Sequence, residues 1–384
     1  MPGLRFERVA QLKIEIFTPV SYYGPVDTQS WPTPPRCYDP TEGTDSMRKG
    51  LEQCAAAYEA GFDSLNFAEH HYSPAQLSPD PITYAGILGQ QLPLATISVL
   101  GTDLPLHNPV RVAESYAMLD NVLGGRLGTI GLLRGTPNEY LTYGTNPWES
   151  RDAFFEAVEL VIAALTEPEP FGWEGRYHRY RNISIWPQPL QKPRPRILLS
   201  GNSAASARFA GEHRCDIGFS FMPRARCADN AVLYQEAAAE AGWTPTPDNI
   251  LYRQFCYVAD TDAHAQEDVE RYQWPGVATL FGSGNPEIAA VMATVSAAMA
   301  GLPKGMPADS AAAAQIAFEP PIVGSPQTVL NEIRSLRDVT GAGRFEMIIT
   351  GGERRFPHEM IMSSLKLMGE TVVPALHDET FTLS

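Results

Sequence analysis

The sequence predicts one α/β domain over residues 1–384, a (β/α)8 barrel of the TIM type with loop insertions at the C-terminal face. Three observations lead there. Short β-rich apolar runs alternate with helical patterns along the chain, the signature of a parallel sheet wrapped by helices. Eight such alternations can be read, which suits a closed barrel better than an open doubly wound sheet. A chain of 384 residues, 44% apolar and 19% charged, also has the length and the core for one barrel carrying insertions.

The first strand is read from Ile14 to Val20. A helix follows with Leu51, Cys54, Ala55 and Tyr58 on one stripe, at spacings of three and four, and Gly61 ends it. Ser64 to Glu69 is the second strand, Ile82 to Leu92 a helical segment, and Ile97 to Leu104 the third strand. Pro109 opens a helix that buries Val112, Tyr116, Leu119 and Leu123, and Arg126 to Leu133 is the fourth strand. From Asp152 to Leu165 a helix carries Phe154, Val158, Val161 and Leu165 on one side. Two shorter alternations come next: Arg196 to Leu199 with Ala204 to His213, then Asp216 to Phe221 with Asp229 to Ala241. Tyr252 to Ala259 reads as the seventh strand. Ser325-Pro326 is an N-cap and first-turn pair for a helix on Val329, Ile333 and Leu336, closed near Gly341. Phe345 to Ile349 is the eighth strand, and Ile361, Leu365 and Met368 mark a closing helix.

Insertions near residues 21–45, 166–195 and 273–321 interrupt this rhythm. The first holds Tyr22, Tyr23, Trp31 and Tyr38, readable as the lining of an apolar pocket or as loop packing. The second contains WPQPLQKPRPR. The third, with its Ala-rich run from Ile288, is the expected lid. Lys plus Arg number 29 against 44 Asp plus Glu, a formal net charge of −15 that disfavours nucleic acid and anionic membrane surfaces as partners. No apolar run reaches the ~20 residues that cross a bilayer, and MPGLRFERVAQLKIEIF has no signal-peptide core. Five cysteines, odd in number and without C-x-x-C spacing, point to a reducing cytoplasm.

The chemistry is expected where strands end, because a barrel places its catalytic groups at that face. Asn66-Phe67-Ala68-Glu69-His70-His71-Tyr72 closes the second strand, so Glu69, His70 and His71 offer titratable groups there. An imidazole suits proton transfer near neutrality, while a hydrogen-bonded structural histidine is the plainer alternative for either ring. A metal ion is not expected, since neighbours on an extended chain point in opposite directions and no third ligand lies nearby in sequence. In Leu199-Ser200-Gly201-Asn202-Ser203-Ala204-Ala205-Ser206 a strand passes into a helix. Free N–H groups and the dipole at such a start favour an anion, and Ser203 and Ser206 can both reach one phosphate. Ordinary capping by Asn202 or Ser203 is the alternative. Arg134, closing the fourth strand, and Arg151, at the next helix, can fork donors onto that phosphate; each also reads as a surface ion-pair residue. In Val99-Leu100-Gly101-Thr102-Asp103-Leu104-Pro105, Gly101 lets a flat ring approach the backbone or marks a bulge. No G-x-G-x-x-G follows a strand, so a Rossmann nicotinamide site is not indicated, and Gly282-Ser283-Gly284 lacks the lysine of a P-loop.

Taken together, FDSLNFAEHHY (62–72), LPLHNPVRVAESYAMLDNVLGGRLGTIGLLRG (104–135) and WPQPLQKPRPRILLSGNSAASARFAGEH (186–213) resemble, in order and spacing, the bacterial luciferase-like flavin-dependent monooxygenases. The resemblance implies a barrel that binds FMN or its reduced form at the C-terminal mouth. It matches His70, with Glu69 and His71 beside it, to deprotonation and intermediate stability. It matches Leu100-Gly101 to the strand end behind the isoalloxazine, often a non-proline cis peptide. Arg134, Arg151, Asn202, Ser203 and Ser206 match positions around the phosphate. The luciferase α chain has a carboxylate where Asn202 stands and a reactive cysteine where Leu133 stands, so light emission from aldehydes is not implied. Glu69-His70-His71 is similar to the flavin branch rather than to deazaflavin-dependent dehydrogenases. The segment AGWTPTPDNILYRQFCYVADTDAHA (241–265) is similar to the branch oxidising terpenes and cyclic ketones.

The implied activity is a two-component, FMNH2-dependent monooxygenase. A separate flavin reductase supplies FMNH2, O2 adds to give a peroxyflavin, and one oxygen atom enters a small, largely apolar substrate by hydroxylation or Baeyer–Villiger oxidation. The family also implies a homodimer, through helices near the second and third strands. Two further readings stand beside it: a deazaflavin- or NAD(P)H-linked oxidoreductase of the same superfamily, and a non-catalytic flavin-binding protein.

Overall fold

The computed structural model describes residues 10–26, 31–272, 274, 285–301, 318–349 and 356–381. Its centre is a closed ring of eight parallel strands. They are β1 (Lys13–Phe17), β2 (Ser64–Phe67), β3 (Ile97–Asp103), β4 (Leu127–Leu133), β5 (Ile197–Ser200), β6 (Asp216–Ser220), β7 (Ile250–Val258) and β8 (Arg344–Ile348). Neighbours in sequence pair around the ring, and β8 returns to β1 with Glu346 beside Glu15. The eight strands read from sequence are these eight, most of them ending a residue or two earlier than expected.

Helices wrap the ring: α1 (Pro40–Glu59), α2 (Pro81–Gln91), α3 (Pro109–Val122), α4 (Pro137–Tyr143), α5 (Ser150–Thr166), α6 (Ala204–Glu212), α7 (Arg224–Glu240), α8 (Asp262–Tyr272), α9 (Pro286–Met299), α10 (Pro326–Thr340) and α11 (His358–Leu367). Six of them, α1 to α4, α9 and α10, open on proline, whose fixed φ and missing N–H suit a first turn. Asp39 and Asn108 cap α1 and α3 by accepting two backbone N–H groups each. The buried face of α1 is Gly50, Gln53, Cys54 and Ala57, rotated from the expected stripe because the large residues Leu51 and Tyr58 lie at its margin. Gly341 ends α10 at φ +71°, a left-handed turn that glycine adopts without strain.

The barrel interior is more polar than the sequence pattern suggested. Arg344 on β8 donates to Glu15 on β1 at 2.5 Å, to Asp216 on β6 at 3.1 Å and to Thr129 on β4 at 3.0 Å. One side chain can reach strands that far around the ring only by pointing into the lumen. Asn66 bridges Glu15 and Glu346 at 2.9 and 2.7 Å, and Arg253 pairs with Glu346. Glu15, Asn66, Arg253, Arg344 and Glu346 are all buried, so each charge relies on its partners rather than on water.

Three corrections follow. The 166–195 insertion is not at the C-terminal face: it joins α5 to β5, and Gln191 ties it to Asp120 and to the carbonyl of Leu127, where β4 begins. It also holds an antiparallel hairpin, Phe171–Glu174 with Arg179–Ile183. Much of the described part of the 273–321 insertion is the helix α9, not irregular chain. Gly282-Ser283-Gly284 and most of that expected lid lie outside the described residues. Among the described residues no helix is long and apolar enough to cross a membrane.

Candidate active site

Strand β2 stops at Phe67, and the following residues turn over the C-terminal rim of the barrel. Because residues 68–71 are not extended strand, the alternation expected of His70 and His71 does not apply. Both rings line one cleft. Phe17, Trp31, Phe221, Phe255 and Ile348 supply its apolar wall, and Arg253 its cation. Of the four insertion aromatics, Trp31 lines this cleft and donates to the His71 carbonyl at 3.1 Å. Tyr22 and Tyr38 stack on each other at 5.4 Å, and Tyr23 packs edge-on to His358, so these three serve loop packing.

Each imidazole is set by a carboxylate. His70 Nδ1 meets Glu139 Oε1 at 2.8 Å, so Nδ1 carries the hydrogen and Nε2 is the remaining ring nitrogen. His71 Nε2 donates to Glu69 Oε1 at 2.8 Å, while its Nδ1 accepts from Tyr143 Oη at 3.2 Å. Glu69 also takes His107 Nε2 at 2.8 Å and the backbone N–H of Asp103 at 3.1 Å. Burial opposes ionisation of Glu69, but hydrogen bonds from His107 and His71 outweigh it and hold the carboxyl below its usual range. The same Glu69 contact raises His107. Glu139 reaches back to the N–H and hydroxyl of Thr136, both at 2.6 Å. Burial again disfavours its charge, and His70 and Thr136 together lower it.

Sequence reasoning named Glu69, His70 and His71 and missed their partners. His107 and Asp103 sat unused inside quoted motifs, and Thr136-Pro137-Asn138-Glu139 is a legible capping-box pattern. The third ligand that the sequence lacked is present in space. His70, Asp103 and Glu139 each bring one donor atom within 4.8 Å of the others. Glu139, however, already has one oxygen on His70 and the other on two Thr136 donors.

Leu100 and Gly101 lie in β3, buried, with a cis peptide between them. A Cβ on Gly101 would lie 2.2 Å from the Gly131 carbonyl oxygen, so the close approach that requires glycine is to the neighbouring strand. Arg253 donates to the Leu100 carbonyl at 2.6 Å, which ties this peptide to the cleft wall.

Arg134 and Arg151 converge: both guanidinium groups donate to the Met299 carbonyl at the end of α9, at 2.7 and 3.4 Å. Neither has a carboxylate partner among the described residues. Burial, helped by the Arg151 charge, lowers Arg134. The β4–β5 register sets Leu132 beside Leu199, so Arg134 and Gly201 leave the barrel on adjacent strand ends. Ser203 caps α6 by accepting the Ser206 N–H, and its hydroxyl lies 3.0 Å from that of Ser206. A Cβ at Gly201 would lie 2.6 Å from Ser206 Oγ, so glycine keeps that hydroxyl open. Asn202 instead spends its amide on the N–H and C=O of Ser220. Two unpaired cations and a serine-lined helix start can accept a phosphate. Arg134, Arg151, Asn202, Ser203 and Ser206 lie off the cleft that His70 lines.

The pattern that defines the luciferase-like monooxygenases matches residues 22–343. The chain is 30% identical over 168 residues to the uncharacterised protein y4wF of Sinorhizobium fredii, covering 44% of this chain and 48% of that one. It thus spans about half the length of the first curated relatives it matches. With the alkanal monooxygenase alpha chain of Photobacterium leiognathi it shares 23% identity over 86% of this chain and 94% of that one. With the oxygenase component of the flavin-dependent trigonelline monooxygenase of Acinetobacter baylyi it shares 23% over 56% and 60%. Among solved structures, monooxygenase RslO1 from Streptomyces bottropensis superposes with TM-score 0.72 at 25% identity, over 95% of this chain and 99% of that one. The oxygenating constituent of 3,6-diketocamphane monooxygenase from Pseudomonas putida, in complex with FMN, gives 0.68 at 21% over 95% and 98%. An F420-dependent secondary alcohol dehydrogenase gives 0.68 at 19% over 96% and 100%, which is likeness of fold.

Proposed function

The chain belongs to the luciferase-like monooxygenase family, and on that premise we propose that it is the oxygenase of a two-component system that takes reduced FMN from a separate reductase. It would insert one atom of O2 into a small, largely apolar substrate, by hydroxylation or Baeyer–Villiger oxidation. The observation that carries this reading is the pair Arg134 and Arg151, two half-buried guanidinium groups that share a backbone carbonyl and have no carboxylate partner among the described residues, with the Ser203–Ser206 helix start following the adjacent strand end. Like charges held together without a carboxylate are costly, and a phosphate removes that cost. Arg134, Arg151, Ser203 and Ser206 would hold the phosphate, and the Leu100–Gly101 strand end would back the ring system.

Bound reduced flavin supplies the electrons that activate O2. The rest falls to this chain. The aromatic wall of the cleft excludes water and favours an apolar substrate. Glu139 holds His70 through Nδ1 and fixes its ring at the cleft, where an imidazole suits proton exchange with a bound group. His71, clamped by Glu69 and Tyr143, supports the same wall.

Calorimetric titration with FMN, reduced FMN and a deazaflavin tests the cofactor. Binding of FMN or its reduced form is expected, weakened roughly 10- to 100-fold by Arg134→Met or Arg151→Met, with folding stability unchanged or raised. Tight deazaflavin binding without FMN affinity would replace the proposal with a hydride-transfer enzyme. FMN binding without O2-dependent turnover in any substrate screen would leave a flavin carrier.

A homodimer fits an apolar surface on α2, α3 and the 166–195 insertion: Ile87, Met118, Val122, Leu190 and Trp186, the last 85% exposed. Asn121 bonds the Gln188 carbonyl and Gln90 the Val122 carbonyl, which makes these pieces contiguous. Light scattering of Met118→Glu should report monomers. A cytoplasmic location accords with five cysteines that form no disulfide.

A further inference from the structure

Asp103 ends β3 with 0% exposure, and neither carboxyl oxygen has a hydrogen-bond partner among the described residues. Its backbone N–H is spent on Glu69 Oε2. The groups that face it are Glu69 beyond β2, His70 next to it in chain, and Glu139 on α4, with Tyr140 and Tyr143 of the same helix behind. Among the described residues, the donors of this cluster point at the other two carboxylates. Glu69 holds His71, His107 and the Asp103 N–H, while Glu139 holds His70 and both Thr136 donors. An ionised Asp103 would be a third negative charge, out of water and without a donor, far costlier to bury than the neutral acid. One proton turns an acceptor-only group into a donor, and Glu139 is the acceptor beside it.

We propose that Asp103 is kept as the neutral carboxylic acid and donates its proton to Glu139, which makes it a positioning residue for His70. Burial, then the charges of Glu139 and Glu69, push its carboxyl well above the ordinary range. The hydrogen bond fixes the Glu139 carboxylate between Asp103, Thr136 and His70, and so holds the His70 ring with Nδ1–H inward. The inference rests on His70 as the proton-handling group, but the protonation of Asp103 is measured on the chain without flavin. Loss of the flavin reading therefore leaves this result standing, and the converse holds.

Infrared spectroscopy at neutral pH on protein labelled with carboxyl-13C aspartate should show a protonated aspartic C=O stretch that D103N lacks. An acid protonated only in the folded state makes the folding equilibrium constant fall with rising pH above the unfolded aspartate value, by up to about tenfold per pH unit. D103N should flatten that slope. It also keeps an N–H donor for Glu139, so the 15N signals of the His70 ring should retain their native tautomer pattern in D103N and lose it in D103L, which donates nothing. If D103L does not fold, the C=O band and the pH slope decide. Absence of the band, or a slope unchanged in D103N, overturns the proposal. So does uptake of Mn2+ by the wild type but not by D103N, because a cation at His70, Asp103 and Glu139 requires Asp103 ionised.

Discussion

Adding one methyl group to Gly101 should cost more than most core truncations, because it must be accommodated between two strands of the barrel. The new Cβ meets the Gly131 carbonyl oxygen at 2.2 Å and its carbon at 2.4 Å, where ordinary contact begins at 3.4 Å. Both partners are backbone, so no side chain can swing away. The strands must part by about 1.2 Å, the gap between those two distances. That stretch takes a ladder hydrogen bond of ~2.9 Å beyond bonding range. Overpacking costs about 1–3 kcal/mol, and one or two bonds lost between β3 and β4 add about 1 kcal/mol each. Gly101→Ala should therefore lose about 2–5 kcal/mol, read from urea unfolding followed by circular dichroism at an unchanged m-value. Gly86→Ala is the control: it lies within α2, and a Cβ there meets nothing within 4 Å. It should stabilise by about 0.5–1 kcal/mol through helix propensity. A G101A protein within about 1 kcal/mol of wild type would mean that β3 and β4 part easily, and the account of this strand end would be wrong.

Arg344→Met should lose about 3–5 kcal/mol, since it leaves Glu15 and Asp216 buried without their cation; a double variant with Glu15→Gln should regain part of it, measured by the same unfolding assay. Stability should also depend on pH at both edges of the Glu69 cluster. Glu69 and Glu139 titrate below 4.5 in the folded chain, so their contribution is complete above that value and is lost as pH falls through the lowered folded values. His107 titrates above 6.5, so its contribution is complete below that value and disappears as pH rises through the raised one. Melting temperatures of His107→Gln against pH should lose the step above 6.5 that His107 contributes and keep the acid edge. His70→Gln should leave flavin affinity within a few-fold while slowing oxygenation roughly 10²–10⁴-fold in single-turnover kinetics; a weakened affinity with an unchanged rate would assign His70 to binding.

Local patterns were legible where they depend on neighbours in the chain. Apolar runs bounded by turn residues marked all eight strands, and the proline starts Pro109 and Ser325-Pro326 marked α3 and α10. A cap-and-proline start, Asn285-Pro286, also opens α9, whose Ala-rich run hid its helical character behind weak amphipathicity. The hairpin at 171–183 was hidden for a different reason: Phe171, Trp173 and Tyr180 do alternate with exposed residues, but over strands of four and five residues that signal is too short to stand out. The polar lumen was invisible because Glu15, Asn66, Arg344 and Glu346 read as solvent-facing positions until the ring closes and makes them face one another.

The sequence by itself determined the order of strands and helices, the strand-end motifs that carry Glu69, His70, His71 and Ser203, and the acidic net charge of −15. Those are set by periodicity, composition and short-range spacing. Only the tertiary structure decided what each of these groups touches. Glu139 comes to His70 from 69 positions away, His107 to Glu69 from 38, and Arg134 meets the end of α9 across 165. Closing the sheet into a barrel carries every strand end to one rim, and that closure turns distant residues into hydrogen-bonded neighbours.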